Sequence, residues 1–269
     1  MTASPEPVSS SRLPLRDALR LSFGTLTVLP VGFPRRVDRT VGGLAMVLAP
    51  AVGLVVGGVA DGVVVLAPLV KPEADLLAAV LGVLVVAGLS GGLHLDGLAD
   101  FADALGSRRD RATMLRIMKQ SDIGPFGVVA IIGVLLLDIA ALTACLQADF
   151  GWQALLIATT ASRLTLPWSC RTSVPAARPD GLGAVVAATV RPAVAVVATA
   201  VVVGATVAVS GLSLDRLVGA VAAVLLAVFT GFVTSRRAVR ALGGTTGDVL
   251  GATVELALPV ALVTLALIV

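Results

Sequence analysis

The sequence predicts an all-helical, polytopic integral membrane protein, on three observations. The 269-residue chain is 57% hydrophobic and only 14% charged, where soluble domains carry roughly 25% charged residues; its mean hydropathy is +1.00. Its apolar stretches run about 20 residues, the length a helix needs to cross roughly 30 Å of hydrocarbon. They lack the alternation over about 10 residues that marks membrane barrel strands. The 28 glycines and abundant alanines suit close helix packing in lipid.

Taken in order, residues 1–11 are expected to be disordered, and 12–269 to form a single transmembrane domain. Arg12, Arg16 and Arg20 lead into a short apolar patch with no clear small-residue cleavage site, so a secretory signal is not expected. About seven spans follow, near 41–66, 76–97, 124–146, 153–171, 183–208, 214–238 and 247–269. Their connections sort by charge. Arg35, Arg36 and Arg39, then Arg108, Arg109, Arg111, Arg116 and Lys119, then Arg171 and Arg178, then Arg236, Arg237 and Arg240 fall on one side. The connections at 67–75, 147–152 and 209–213 hold a single basic residue, Lys71. The basic set is expected to be cytoplasmic. A spanning helix over 13–31 would put Arg12 and Arg16 on the wrong side, so an N-terminal interfacial or re-entrant helix between Pro14 and Pro30 is expected there. Residues 109–120 read as a short cytoplasmic amphipathic helix, either a surface anchor or a means of turning Arg116 or Lys119 towards an anionic ligand.

The net charge of +3 reports orientation in such a chain, and no nucleic-acid partner is expected. Cys145 and Cys170 lie in or beside apolar runs and read as free thiols.

The informative stretch is SGGLHLDGLADFADA, residues 90–104. On a helix, Asp96, Asp100 and Asp103 fall within about 60° of one another. Three carboxylates on one stripe repel, and each costs a further few kcal/mol near lipid. A divalent cation relieves both problems, and an all-oxygen set favours Mg²⁺ shared with phosphates and water. The plainer reading is a helix end carrying capping carboxylates. His94, the only histidine, points about 160° away from the stripe and reads first as a structural residue. Gly91, Gly92 and Gly97 would let a neighbouring helix or a substrate approach the backbone.

A second acidic cluster lies in GGTTGDVLGATVEL, residues 243–256. Asp248 and Glu255 share a helix face, and an intramembrane glutamate points to function. The Gly-Thr run through Thr246 opens that helix, so its backbone N–H groups are available to phosphate. Asp122 reads either as an N-cap or as a further ligand. Arg163, inside the fourth expected span, and Arg171, at its end, each call for an acidic side chain or a ligand phosphate. Residues 177–183, ARPDGLG, read as a turn, with covering the site as the alternative role.

Together, GGLHLDGLADFADALG, IMKQSDIGPFG, ARPDGLG and GGTTGDVLGATVEL resemble the cobalamin synthase family of adenosylcobinamide-GDP ribazoletransferases. The four blocks occur in order, and the resemblance runs from TVLPVG at 27–32 to the C-terminus. It implies a Mg²⁺-dependent enzyme of vitamin B12 assembly that joins adenosylcobinamide-GDP to α-ribazole, or its 5′-phosphate, and releases GMP. By this resemblance Asp96, Asp100 and Asp103 are metal-binding and catalytic. His94, Arg116, Lys119, Asp122, Arg163, Arg171, Thr246, Asp248 and Glu255 are expected to bind substrate. The lipid bilayer is an implied partner, a homo-oligomer is allowed, and the expected location is the cytoplasmic (inner) membrane with the site facing the cytoplasm.

The first block also echoes CDP-alcohol phosphotransferases. Gly92, Asp96 and Asp100 fit G-x3-D-x3-D, and Asp100 and Asp103 fit D-x2-D. The order differs and Ala104 stands where a glycine is expected, so the echo concerns chemistry rather than fold. An ion-coupled transporter is the non-enzyme alternative, since Asp248 and Glu255 would serve that role too.

Overall fold

The computed structural model describes residues 13–71 and 73–269; the expected disordered residues 1–11 lie outside them. The described residues form twelve helices, with no strand beyond two isolated bridges. The all-helical expectation holds.

Helix α1 (Leu13–Leu26) has 14 residues, fewer than the roughly 20 a span requires. The first expected span divides into α2 (Arg39–Val47) and α3 (Ala49–Val70), with Pro50 in the opening turn of α3, where a missing N–H costs least. Asp38 caps α2 by accepting from the N–H groups of Thr40 and Val41. The second expected span also breaks. Helix α4 (Asp75–Leu89) turns by 86° into α5 (Leu93–Gly106). Gly91 and Gly92 make that corner at φ +62° and +69°, the left-handed region that glycine enters without strain.

Asp110 caps the short α6 (Arg111–Ile117), accepting from the N–H and hydroxyl of Thr113. Helices α7 (Pro125–Gln147) and α8 (Gly151–Ser169) follow. The fifth expected span is interrupted between α9 (Gly181–Val186) and α10 (Pro192–Ser210). There Ala188 stands at φ +55°, and Pro192 starts a new helix. Helices α11 (Leu214–Leu242) and α12 (Gly247–Ile268) are continuous.

Helix length and composition do not confirm the expected count of seven spans. Among the described residues five helices are long and apolar enough to cross a membrane: α3, α7, α10, α11 and α12. Six qualify if the bent α4–α5 pair is one broken span. Helix α8 is long enough but carries Arg163, Ser162, Ser169 and three threonines, all buried.

The core sits around α8 and α12. Helix α8 packs against α3, α10, α11 and α12, and α12 packs against α5, α7, α8 and α11. Small residues permit the closest contacts: a Cβ on Gly53 of α3 would meet the backbone of Thr159 and Thr160 in α8. Outside this core, α7, α10 and α11 present Leu136, Val201 and Phe229, each more than 60% exposed. Long helices with apolar outer faces and satisfied backbones are what a bilayer accepts. The chain is a multi-pass membrane protein.

Candidate active site

Three segments distant in sequence meet at one end of the bundle. Helix α5 supplies the aspartate stripe. The loop 171–180 and the turn 243–246 are laced together: Ala177 N–H donates to the Thr245 carbonyl at 2.9 Å, and Thr245 N–H to the Pro175 carbonyl at 2.8 Å. A Cβ on Gly244 would collide with this backbone pairing. Thr246 then starts α12, its hydroxyl accepting from Val249 N–H at 3.2 Å and facing Asp248 at 3.2 Å.

Helices α5 and α12 cross at two glycines. A Cβ on Gly97 would lie 2.7 Å from the Asp248 carbonyl oxygen, and one on Gly251 would lie 3.1 Å from the His94 Cα. This close crossing lays the first turn of α12 beside the stripe. Asp100 comes within electrostatic reach of Asp96, Asp103, Asp248 and Arg178. Arg178 donates to Asp248 at 2.8 Å, placing one cation among four carboxylates.

A cavity of about 340 Å³ opens beside this cluster. His94, Lys119, Arg178, Asp180, Thr246 and Asp248 contribute its polar wall, and Leu93, Leu166 and Leu250 its apolar floor. Lys119 bonds Asp180 at 3.1 Å across the mouth. That hydrogen bond and the lysine charge hold the Asp180 carboxyl below its usual range.

The expected residues thus divide. Lys119, Thr246 and Asp248 reach the cavity, as does His94. Asp96 is exposed and Asp100 half-buried, and neither side chain accepts a hydrogen bond from the described residues. Asp103 differs: its two oxygens accept the Gly124 and Gly127 N–H groups at 2.7 and 2.9 Å. It anchors the N-terminus of α7, where the helix dipole favours an anion. Arg116 and Asp122 are exposed and outside the cavity wall. Arg171 is occupied by the Trp168 carbonyl at 2.7 Å and lies 4.8 Å over the Phe232 ring.

Arg163 is fully buried in α8. Its Nη1 donates to Ser162 at 3.0 Å, and Glu255 and Asp138 lie within electrostatic reach. Glu255 stands 3.8 Å from His94 Nδ1. Sequence reasoning missed Asp138. It is a lone carboxylate in the apolar run of α7, 1% exposed, and that isolation was the signal available.

The family model for cobalamin-5-phosphate synthase matches residues 18–266. The chain belongs to that family. The adenosylcobinamide-GDP ribazoletransferase of Frankia casuarinae is 39% identical, covering 92% of this chain and 94% of the relative. Its namesake in a Nocardioides species is 41% identical over 91% of this chain and 96% of that one. The enzyme so named in Stutzerimonas stutzeri is 39% identical over 95% and 98%. No solved structure matches the chain. Membership of the cobalamin-5-phosphate synthase family does not favour the CDP-alcohol phosphotransferase or transporter readings.

Proposed function

We infer that the chain is an adenosylcobinamide-GDP ribazoletransferase, the activity its relatives are named for. It joins adenosylcobinamide-GDP to α-ribazole or its 5′-phosphate, giving adenosylcobalamin or its phosphate and GMP. The observation that carries this reading is the convergence on one cavity of Lys119, Arg178 and Asp248 beside the Asp96–Asp100 stripe. These residues come from the four sequence blocks that carry the resemblance.

A ribose hydroxyl of the ribazole attacks the phosphorus bonded to the cobinamide. A new P–O bond forms, the diphosphate bridge breaks, and GMP departs with the bridging oxygen. Arg178 and Lys119 are suited to hold diphosphate oxygens by charge-assisted hydrogen bonds. The Thr246 turn offers backbone N–H groups at a helix start. A carboxylate oxygen of the stripe that a metal leaves free is suited to accept the hydroxyl proton.

The donor set fits Mg²⁺. Among the described residues no three of His, Cys, Asp and Glu converge to cage a metal alone. Mg²⁺ is commonly bound by one or two carboxylates, with substrate phosphates and water completing its shell. Asp96 and Asp100 would hold it. Asp103 supports them by fixing α7 against α5, and keeps lone pairs that a metal or its water can use. When bound, the ion neutralises the diphosphate and the leaving phosphate.

Lys119 and Arg178 place the site at the basic end of the bundle, which supports a cytoplasmic-facing site in the cytoplasmic (inner) membrane. The test is purified protein in liposomes with adenosylcobinamide-GDP, α-ribazole and Mg²⁺. GMP release dependent on both organic substrates is expected. No GMP, or CMP release from a CDP-alcohol instead, overturns the reading.

A further inference from the structure

A second concavity of about 640 Å³ lies between the ends of α5 and α11 and the start of α6. It shares no lining residue with the catalytic cavity. Five arginines converge on the second one from two distant segments: Arg108 and Arg109 after α5, and Arg236, Arg237 and Arg240 on the last turns of α11. No acidic residue lines it. The nearest carboxylate along the chain, Asp110, is occupied in capping α6. Among the described residues none of the five guanidinium groups donates a hydrogen bond or joins an ion pair. Elsewhere Arg39, Arg111, Arg171 and Arg178 have protein acceptors.

The rest of this concavity is apolar. Phe229, Phe232 and Val233 line it one to two turns before the α11 arginines and are 61%, 38% and 47% exposed. Their stripe continues along the outer face of α11 through Leu225 and Val218, 52% and 49% exposed. Along one helix face the surface therefore passes from a long apolar track to three arginines between Val233 and Arg236, a rise of about 4.5 Å. Basic side chains at a span's end ordinarily spread into the interface. Here they are gathered around a hollow instead.

We propose that this hollow is a binding site for an anionic glycerophospholipid, with the phosphate headgroup held by the five arginines and an acyl chain lying along the α11 stripe. Guanidinium groups match phosphate oxygens in geometry as well as charge, and basic pockets beside membrane helices suit anionic headgroups. The amphiphilic shape selects a lipid over a free phosphate, which would leave the exposed phenylalanines uncovered. Because Leu105 of α5 and Met114 of α6 form the opposite wall, a bound lipid would tie these helices to α11.

The test is native mass spectrometry of the full chain, delipidated in neutral detergent and given equal phosphatidylglycerol and phosphatidylcholine, with and without excess inorganic phosphate. Wild-type protein is expected to retain phosphatidylglycerol preferentially, and inorganic phosphate to leave that preference in place. The triple variant Arg236→Gln, Arg237→Gln, Arg240→Gln is expected to bind phosphatidylglycerol on the order of 100-fold more weakly, at about fivefold per arginine. The corresponding triple Lys variant, which keeps the charge without the guanidinium geometry, is expected to bind with an affinity between those of the wild type and the Gln variant. Size-exclusion behaviour and helix content report whether each variant is folded. Equal retention of both lipids by the wild type overturns the proposal even if the Gln variant does not fold. An unchanged preference in a folded Gln variant, or displacement of the lipid by inorganic phosphate, overturns it too.

Discussion

Gly97 of α5 packs directly on the backbone of Asp248 in α12, so close that a Cβ would stand 2.7 Å from the Asp248 carbonyl oxygen. This contact brings a carboxylate 150 residues away alongside the Asp96–Asp100 stripe. Gly97→Val is therefore expected to part the two helices. Overpacking of this kind costs about 1–3 kcal/mol, and a displacement of about 1 Å at a reacting centre can cost on the order of 100-fold in rate. Gly133→Ala in α7, where a Cβ meets nothing within 4 Å, is the control. GMP-release assays on both variants decide the matter; equal activity would show that the crossing does not set the site.

The Arg178–Asp248 bond at 2.8 Å predicts a graded response. Arg178→Ala removes a charge-assisted hydrogen bond worth roughly 1.5–3 kcal/mol. It should lower kcat/KM for adenosylcobinamide-GDP by about 10- to 100-fold, with Arg178→Lys in between. Steady-state kinetics with the ribazole saturating reads this directly. An Ala variant with wild-type kcat/KM would remove Arg178 from the site.

Lys119 and Asp180 separate binding from stability. Their pair is exposed, and exposed ion pairs contribute about 0–1 kcal/mol. Asp180→Asn is thus expected to leave the unfolding midpoint unchanged, whereas Lys119→Ala should raise KM for adenosylcobinamide-GDP. A lower midpoint with no change in KM for Lys119→Ala would make the lysine structural.

The buried group around Arg163 makes the opposite prediction. Arg163→Met removes the buried cation within electrostatic reach of Glu255 and Asp138, and a lower thermal midpoint is expected, by less than the roughly 3–5 kcal/mol of a broken buried pair because no direct ion pair is lost. Adding Asp138→Asn should recover part of the loss, as a double-mutant cycle of thermal midpoints would show. If Arg163→Met unfolded at the wild-type temperature, the three charges would not be coupled.

Much of the fold was legible from hydropathy. Helices α7, α11 and α12 lie almost where their apolar runs predict, because each continues unbroken through its apolar stretch. The broken spans were harder to read. Pro50, the Gly91–Gly92 corner and Ala188 redirect the chain inside stretches whose average stays apolar, so window hydropathy passes over them. The carboxylate stripe was readable from helical periodicity, and Asp248 from its own cluster. Their adjacency was not, since it depends on which face Gly97 turns towards α12. For the same reason the sequence left Arg163 open between substrate and protein acids, and Asp138 escaped notice. In a helix apolar all round, only packing separates the bundle face from the lipid face. Asp103 fitted the stripe by angle, yet both its oxygens reach the start of α7, a capping role that spacing alone does not distinguish from metal binding.

The central claim is that Asp96 and Asp100 hold Mg²⁺ at the diphosphate. The most direct measurement is GMP release by the purified protein in liposomes across a Mg²⁺ titration, for wild type, Asp96→Asn and Asp100→Asn. Release is expected to vanish with chelator and return with Mg²⁺, and the variants to stay folded but be slower on the order of 100- to 1,000-fold. Undiminished release in chelator, or near-wild-type turnover by either folded variant, would contradict it.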